Sequence, residues 1–236
     1  MVDTEDIDGL DPYDLMAAEG ARINAHFAAL ADAAAEWQRP SRCEGWTVRD
    51  VLAHLAASED YNRACLDGTV QQFLADVGAK GATDLATAND IGIRELDDKA
   101  PSALRALWWE RSSANREAFR ARDGENVDSS VGEYPARWQA FHLAFELAVH
   151  ADDVGVPVAA SEAAGRSDWQ ARFGRFALKE MKPGIVIESD NGRTHVTAGD
   201  VDVDLTDEQF VQAVAARLPN DSSVDDATAA ALSATP

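Results

Sequence analysis

The sequence predicts a mainly α fold, a four-helix bundle followed by a small α+β domain, on three observations. The first ~155 residues carry apolar side chains at helical spacing in several long runs. After Val156-Pro157 the pattern changes to short strand-like runs around Asp190-Asn191-Gly192, a hairpin turn signal. The length of 236 residues, 46% hydrophobic and 27% charged, is ample for a buried core in one large domain or two small ones.

The elements follow in order. The run from Pro12 to Trp37 places Leu15, Met16, Ile23, Phe27 and Leu30 at helical spacing, and Pro40 ends it. Thr47 is a fair N-cap with Asp50 as an acidic third residue, so a second helix runs through TVRDVLAHLAASEDYNRACL to Gly68. A shorter helix is expected near 84–97. A third long helix spans about Ser102–Arg122, after Pro101 at its first turn, and a fourth spans about Pro135–Asp152. Residues 158–166 (AASEAAGRS) read as a linker, and SDWQARFGRFALKEM as a further helix. GIVIES, RTHVTA and VDVDL read as antiparallel strands, followed by a helix in LTDEQFVQAVAARL capped by Thr206. The expected organisation is a bundle over 1–157, a small α+β domain over 165–219, and an acidic, mobile tail over 220–236.

Charge narrows the function classes. Lys plus Arg is 21 against 42 Asp plus Glu, a net charge of −21. Such a chain is not expected to bind nucleic acid or an anionic membrane surface, both of which require cationic patches. No run approaches the ~18 apolar residues of a membrane span. The amino-terminal stretch has no basic residue before Arg22, unlike a secretory or mitochondrial leader. The expectation is a cytoplasmic protein, a monomer or small homo-oligomer, with Cys43 and Cys65 as reduced thiols. No G-x-G-x-x-G, P-loop, G-x-S-x-G or C-x-x-C motif is present, so nucleotide, serine-hydrolase and thiol-redox readings lack support.

The chemistry-bearing pattern lies in the fourth long helix, where His142, Glu146 and His150 follow at intervals of four residues. Four residues are about 400° of turn and about 6 Å of rise, so neighbours in this set share a face. A Glu and a His so placed can grip one metal ion if a second helix supplies another ligand. His54, on an otherwise small and apolar helix face, is the candidate. A site of His54, Glu146 and His150 leaves an open coordination position, the form of a catalytic zinc centre. Spacing leaves His142 open as a substitute for Glu146 or His54. Cys43, eleven residues before His54, can approach the metal or be a small buried residue at a helix entry. Trp46, Trp108, Trp109 and Trp138 read as bundle core. His26 and His195 read as surface residues.

SRCEGWTVRDVLAHLAASED (41–60) resembles the signature of the mycothiol-dependent maleylpyruvate isomerase family, a branch of the DinB-like metal-binding bundles. FELAVHADDVG (145–155) resembles the same family's second signature, a Glu, a His four residues later and an Asp three further on. The resemblance implies a DinB-like four-helix bundle followed by a small domain similar to sterol carrier proteins. It implies Zn2+ or another divalent metal on His54, Glu146 and His150. It implies mycothiol as cosubstrate, hence an actinobacterial source. Asp153 falls at the family's Asp position, where it would support His150 or the helix end. The matching residue for the family's Arg on the last helix is Arg217, the only Lys or Arg after Arg193, among eight Asp and Glu. Arg217 can fork onto a substrate carboxylate or act as a cation at a helix C-terminus, and both readings stay open. Asp153 and Arg217 are the candidate catalytic residues.

The chemistry so implied is thiolate attack on a small electrophile. Addition to an activated double bond allows rotation, and elimination then gives cis–trans isomerisation; without elimination the product is an S-conjugate. The alternatives are a metal-dependent hydrolase or amidase of the same fold, and a non-catalytic DinB-like binding or stress protein.

Overall fold

The structure, a computed structural model, describes residues 3–234. The chain divides into two compact units, Asp11–Pro157 and a second made of Met1–Leu10 with Val158–Pro236. The first unit holds α1 (Pro12–Ala28), α2 (Val48–Asp67), α3 (Val70–Ala79), α4 (Leu85–Arg94), α5 (Pro101–Ala121), the hairpin β1 (Asn126–Ser129) and β2 (Gly132–Pro135), and α6 (Ala136–Asp153). The second holds α7 (Ala160–Met181), β3 (Val186–Asp190), β4 (Arg193–Ala198), β5 (Val201–Thr206), α8 (Asp207–Val214) and α9 (Asp226–Leu232). The fold is mainly α, a helical bundle with a small sheet-bearing part, as the periodicity predicts. Among the described residues no helix is long and apolar enough to cross a membrane.

Helices α1, α2, α5 and α6 make the bundle, with α1 against α5 and α6, and α2 against α5. Tyr13, Ile23, Phe27, Leu52, Leu104, Trp108, Phe119 and Phe141 are fully buried in it. Each such side chain contributes about 1.5–3 kcal/mol of transfer free energy. Asp11 caps α1 by accepting from the amides of Tyr13 and Asp14, with Pro12 at the first turn. Thr47 and Asp50 form a reciprocal capping box on α2, and Gly68, at φ 71°, closes it.

The first helix is shorter than predicted. It stops at Ala28 rather than running to Trp37. The Asp32 carboxylate instead accepts from the Ser102 amide at 2.7 Å and hydroxyl at 2.8 Å, at the start of α5. The Trp37 indole donates to the Ala31 carbonyl at 3.0 Å and its ring packs 5.3 Å from Phe27. The Asp32–Ser102 contact is long-range, and the stretch contains no Gly or Pro to announce the break. The hairpin ahead of α6 and helix α3 were not foreseen either. Strands of four residues show too little alternation to register as a pattern.

In the second unit, β3, β4 and β5 form an antiparallel meander in that order. Asn191 and Gly192, both at positive φ (49° and 75°), make the two-residue turn between β3 and β4. Thr194, Val196 and Leu205 face the core. The stretch 158–166, read as a linker, is mostly the first turns of α7, because its alanines favour helix. Residues 3–10, expected to open the bundle, group instead with this unit: Asp6 accepts from Arg175 at 2.8 Å and Lys179 at 2.7 Å. Within 220–236, read as a mobile tail, Asp225 caps α9 and Leu232 is fully buried.

Candidate metal centre

The site is built where the loop before α2 meets the last turns of α6. Gly45, at φ 81°, lets the loop close tightly, and Pro40 and Thr47 pair across it as a β-bridge. The Ser41 hydroxyl donates to the Trp46 carbonyl at 2.9 Å and accepts from the Cys43 amide at 3.1 Å. The Arg42 amide donates to the Asp153 carbonyl at 3.0 Å, tying this loop to the end of α6. The capping box then starts α2 so that His54 falls about two turns in, facing α6.

His54 Nε2 lies 3.2 Å from Glu146 Oε1, and the rings of His54 and His150 meet edge-on with centroids 4.8 Å apart. Candidate ligand atoms of His54, Glu146 and His150 all lie within 4.8 Å of one another. Two ligands on one tetrahedral zinc at bond lengths near 2.0–2.1 Å stand about 3.3 Å apart. The His54–Glu146 spacing matches that figure, and a small closure of His150 completes the set. Two imidazoles and a carboxylate are also the borderline donors that zinc takes. The residues therefore fit a divalent cation.

His54 and His150 are buried, while the Glu146 side chain is 33% exposed. His150 Nδ1 stands 3.0 Å from Asp153 Oδ2, and the Cys43 thiol donates to the same oxygen at 3.0 Å. Asp153 is 2% exposed. Burial works against the His150 imidazolium, but the hydrogen bonds to Asp153 and Cys43 and the charge of Glu146 outweigh it and hold its pKa up at about 9. Burial likewise raises Glu146, yet the hydrogen bond from His54 and the charges of His54, His150 and His142 leave it below the ordinary carboxylate range.

The Mycothiol maleylpyruvate isomerase N-terminal domain matches residues 16–155, more than half of the chain. The chain belongs to that family. Two solved structures share its fold: a mycothiol-dependent maleylpyruvate isomerase, at TM-score 0.52, and a histidine-to-alanine mutant of such an isomerase, at 0.50. Each is 18% identical, and the alignment covers 72% of this chain and 68% of the other. No curated protein matches. Both family signatures read from the sequence lie inside the matched span, one in the loop and start of α2, the other at the end of α6.

Not every residue singled out in the sequence joins the cluster. His142, left open by spacing, meets the Tyr134 hydroxyl at 3.1 Å, and the cation-sized groups among the described residues do not include it. The hairpin before α6 brings Tyr134 alongside it, a contact that helical spacing does not reveal. Trp46 packs its ring 5.0 Å from that of His54 and points its indole N–H to Asp90 at 3.4 Å. Arg217 lies in the other unit, just after α8, where its guanidinium donates to the Ala215 carbonyl at 3.2 Å.

Of the two readings the sequence allows for Cys43, the structure shows it both buried and beside the cluster: it sits against Asp153 and His150, and these three form a second group of cation-ligating type. One buried acid escaped the sequence. Glu59 is buried on α2, accepting from Asn62 at 3.1 Å and from Asn115 on α5 at 2.8 Å. Burial pushes its carboxyl above the ordinary range, against the pull of Asn115, Asn62 and Ser112, and the charge of Glu146 adds to the rise. The signal was present: Leu52, Leu55, Glu59, Asn62 and Leu66 share one helical stripe, so two polar residues interrupt an apolar face.

Proposed function

We propose that this chain is a metal-dependent enzyme that uses mycothiol to attack a small electrophile, by thiol-assisted cis–trans isomerisation of a maleylpyruvate-like acid or by S-transfer. The observation that carries the reading is the convergence of His54, Glu146 and His150 to cation-binding distance, in a chain that belongs to this family.

His54 and His150 supply neutral nitrogens and Glu146 one negative charge to a divalent cation. Three protein donors leave room for a further ligand. When bound, the cation would lower the pKa of a thiol at that position or polarise the acceptor carbonyl. Asp153 accepts the Nδ1 proton of His150, which fixes the tautomer and leaves Nε2 as the ligating nitrogen. Buried His54 and His150 keep water from most of the ligand shell, while Glu146, partly exposed, marks the open side. Arg217 is assigned to a substrate carboxylate on the family resemblance and because a guanidinium can donate to both carboxylate oxygens.

The test is turnover of an electrophilic cis-enoic diacid by zinc-loaded and chelator-stripped protein, each with and without mycothiol. The proposal expects activity only when both zinc and the thiol are present. Turnover that needs zinc but no thiol would remove mycothiol from the reaction, and zinc uptake well below one equivalent would remove the metal centre.

A further inference from the structure

We propose that Cys43 is a positioning residue for the metal centre, holding Asp153 in the orientation that presents His150 to the cation. This rests on the metal-centre reading above. Cys43 Sγ stands 3.0 Å from Asp153 Oδ2 and 3.7 Å from His150 Nδ1. His150 Nδ1 meets the same Oδ2 at 3.0 Å. One carboxylate oxygen therefore receives two neighbours at once. An ionised carboxylate only accepts, so both neighbours must donate: Cys43 as a thiol and His150 through Nδ1–H. That arrangement commits Nδ1 of His150 to Asp153 and leaves Nε2 as the nitrogen a cation would take in exchange for a proton.

Asp153 belongs to the last residues of α6, where helix ends loosen. Its carbonyl is held by the Arg42 amide at 3.0 Å, and its carboxylate by the thiol one residue further along the same loop. The loop thus grips Asp153 by main chain and side chain together. Cys43 is itself placed by the Ser41 hydroxyl, which accepts from its amide at 3.1 Å, and it is 8% exposed. The same thiol is also near enough, with His150 and Asp153, to ligate a cation itself. Positioning and ligation make opposite spectroscopic predictions.

The experiment compares full-length wild type, Cys43→Ala and Cys43→Ser. Zinc affinity is read by competition with a chromogenic chelator, and the cobalt-substituted proteins are read by absorption. Loss of an outer hydrogen bond to a metal-bound histidine costs roughly tenfold or more in affinity. Cys43→Ala is expected to weaken zinc by about tenfold, and Cys43→Ser, which keeps a donor, to recover most of that loss. The cobalt form of the wild type should lack an intense thiolate-to-metal charge-transfer band. An alanine variant that binds zinc as tightly as wild type overturns the proposal. So does a charge-transfer band in the wild type that the serine variant loses, which would make Cys43 a ligand. A wild type that takes up neither metal defeats the metal-centre reading first, and this inference with it.

Discussion

His54 Nε2 and Glu146 Oε1 lie 3.2 Å apart across 92 residues of chain. Neither is placed by the other's local sequence. The Thr47–Asp50 capping box sets where α2 begins, and the hairpin ahead of α6 sets where α6 begins. The contact results from two helix starts being in register within one bundle.

Removing one member of this set should disarm it without unfolding the bundle. His150→Ala is expected to abolish stoichiometric zinc binding and turnover, with the helical circular dichroism retained. Zinc content by atomic emission, alongside the dichroism, checks this. Full activity in the variant would show that the ligands are misassigned.

The metal-free protein should lose stability in alkali. The folded-state pKa of His150 is raised from 6.5 to about 9. A raised histidine stabilises the fold fully below its unfolded value, and that contribution fades as pH climbs through the folded value. The window is therefore pH 6.5 to about 9, and the size is at most roughly 3 kcal/mol. Denaturant melts of chelator-treated protein across this range test it. Zinc, which must displace a proton here, should bind more tightly as pH rises over the same interval.

Asn115 donates to both the backbone carbonyl of Glu59 at 2.9 Å and its carboxylate at 2.8 Å, bracing α5 against α2. Asn115→Ala leaves a buried carboxylate short of a donor, which costs about 1–3 kcal/mol. The loss should appear as a lower midpoint in urea with an unchanged slope. Glu59→Gln in the same background should recover part of it, since a neutral amide is less costly to bury.

Arg217 separates two roles by kinetics. If it forks onto a substrate carboxylate, Arg217→Ala should raise KM for a diacid acceptor by about tenfold or more, the equivalent of one charge-assisted hydrogen bond. Arg217→Lys should recover little, because an ammonium cannot make the bidentate contact. Unchanged KM in both variants would leave Arg217 as a cation on the carbonyls that end α8.

Local chemistry made much of this readable in advance. The caps at Thr47 and Thr206, the closing Gly68 and the Asn191-Gly192 turn are decided by a few adjacent residues, so these boundaries stand where the sequence puts them. The Glu146–His150 spacing is likewise a property of one helix. The break after Ala28 and the placement of Cys43 are not, because each depends on partners far along the chain, and the Tyr134–His142 pair is not, because it joins a hairpin to a helix across a change of backbone period.

What the residues determined by themselves was therefore the helical class, the hairpin, and the four-residue spacing on α6. What only the tertiary structure decided was which histidine faces His54, and that Cys43 and Asp153 stand behind His150. The physical reason is one of range. Capping and periodicity act within a turn or two of backbone, whereas a ligand set needs side chains from separate elements brought within a few ångströms, and packing alone sets that distance.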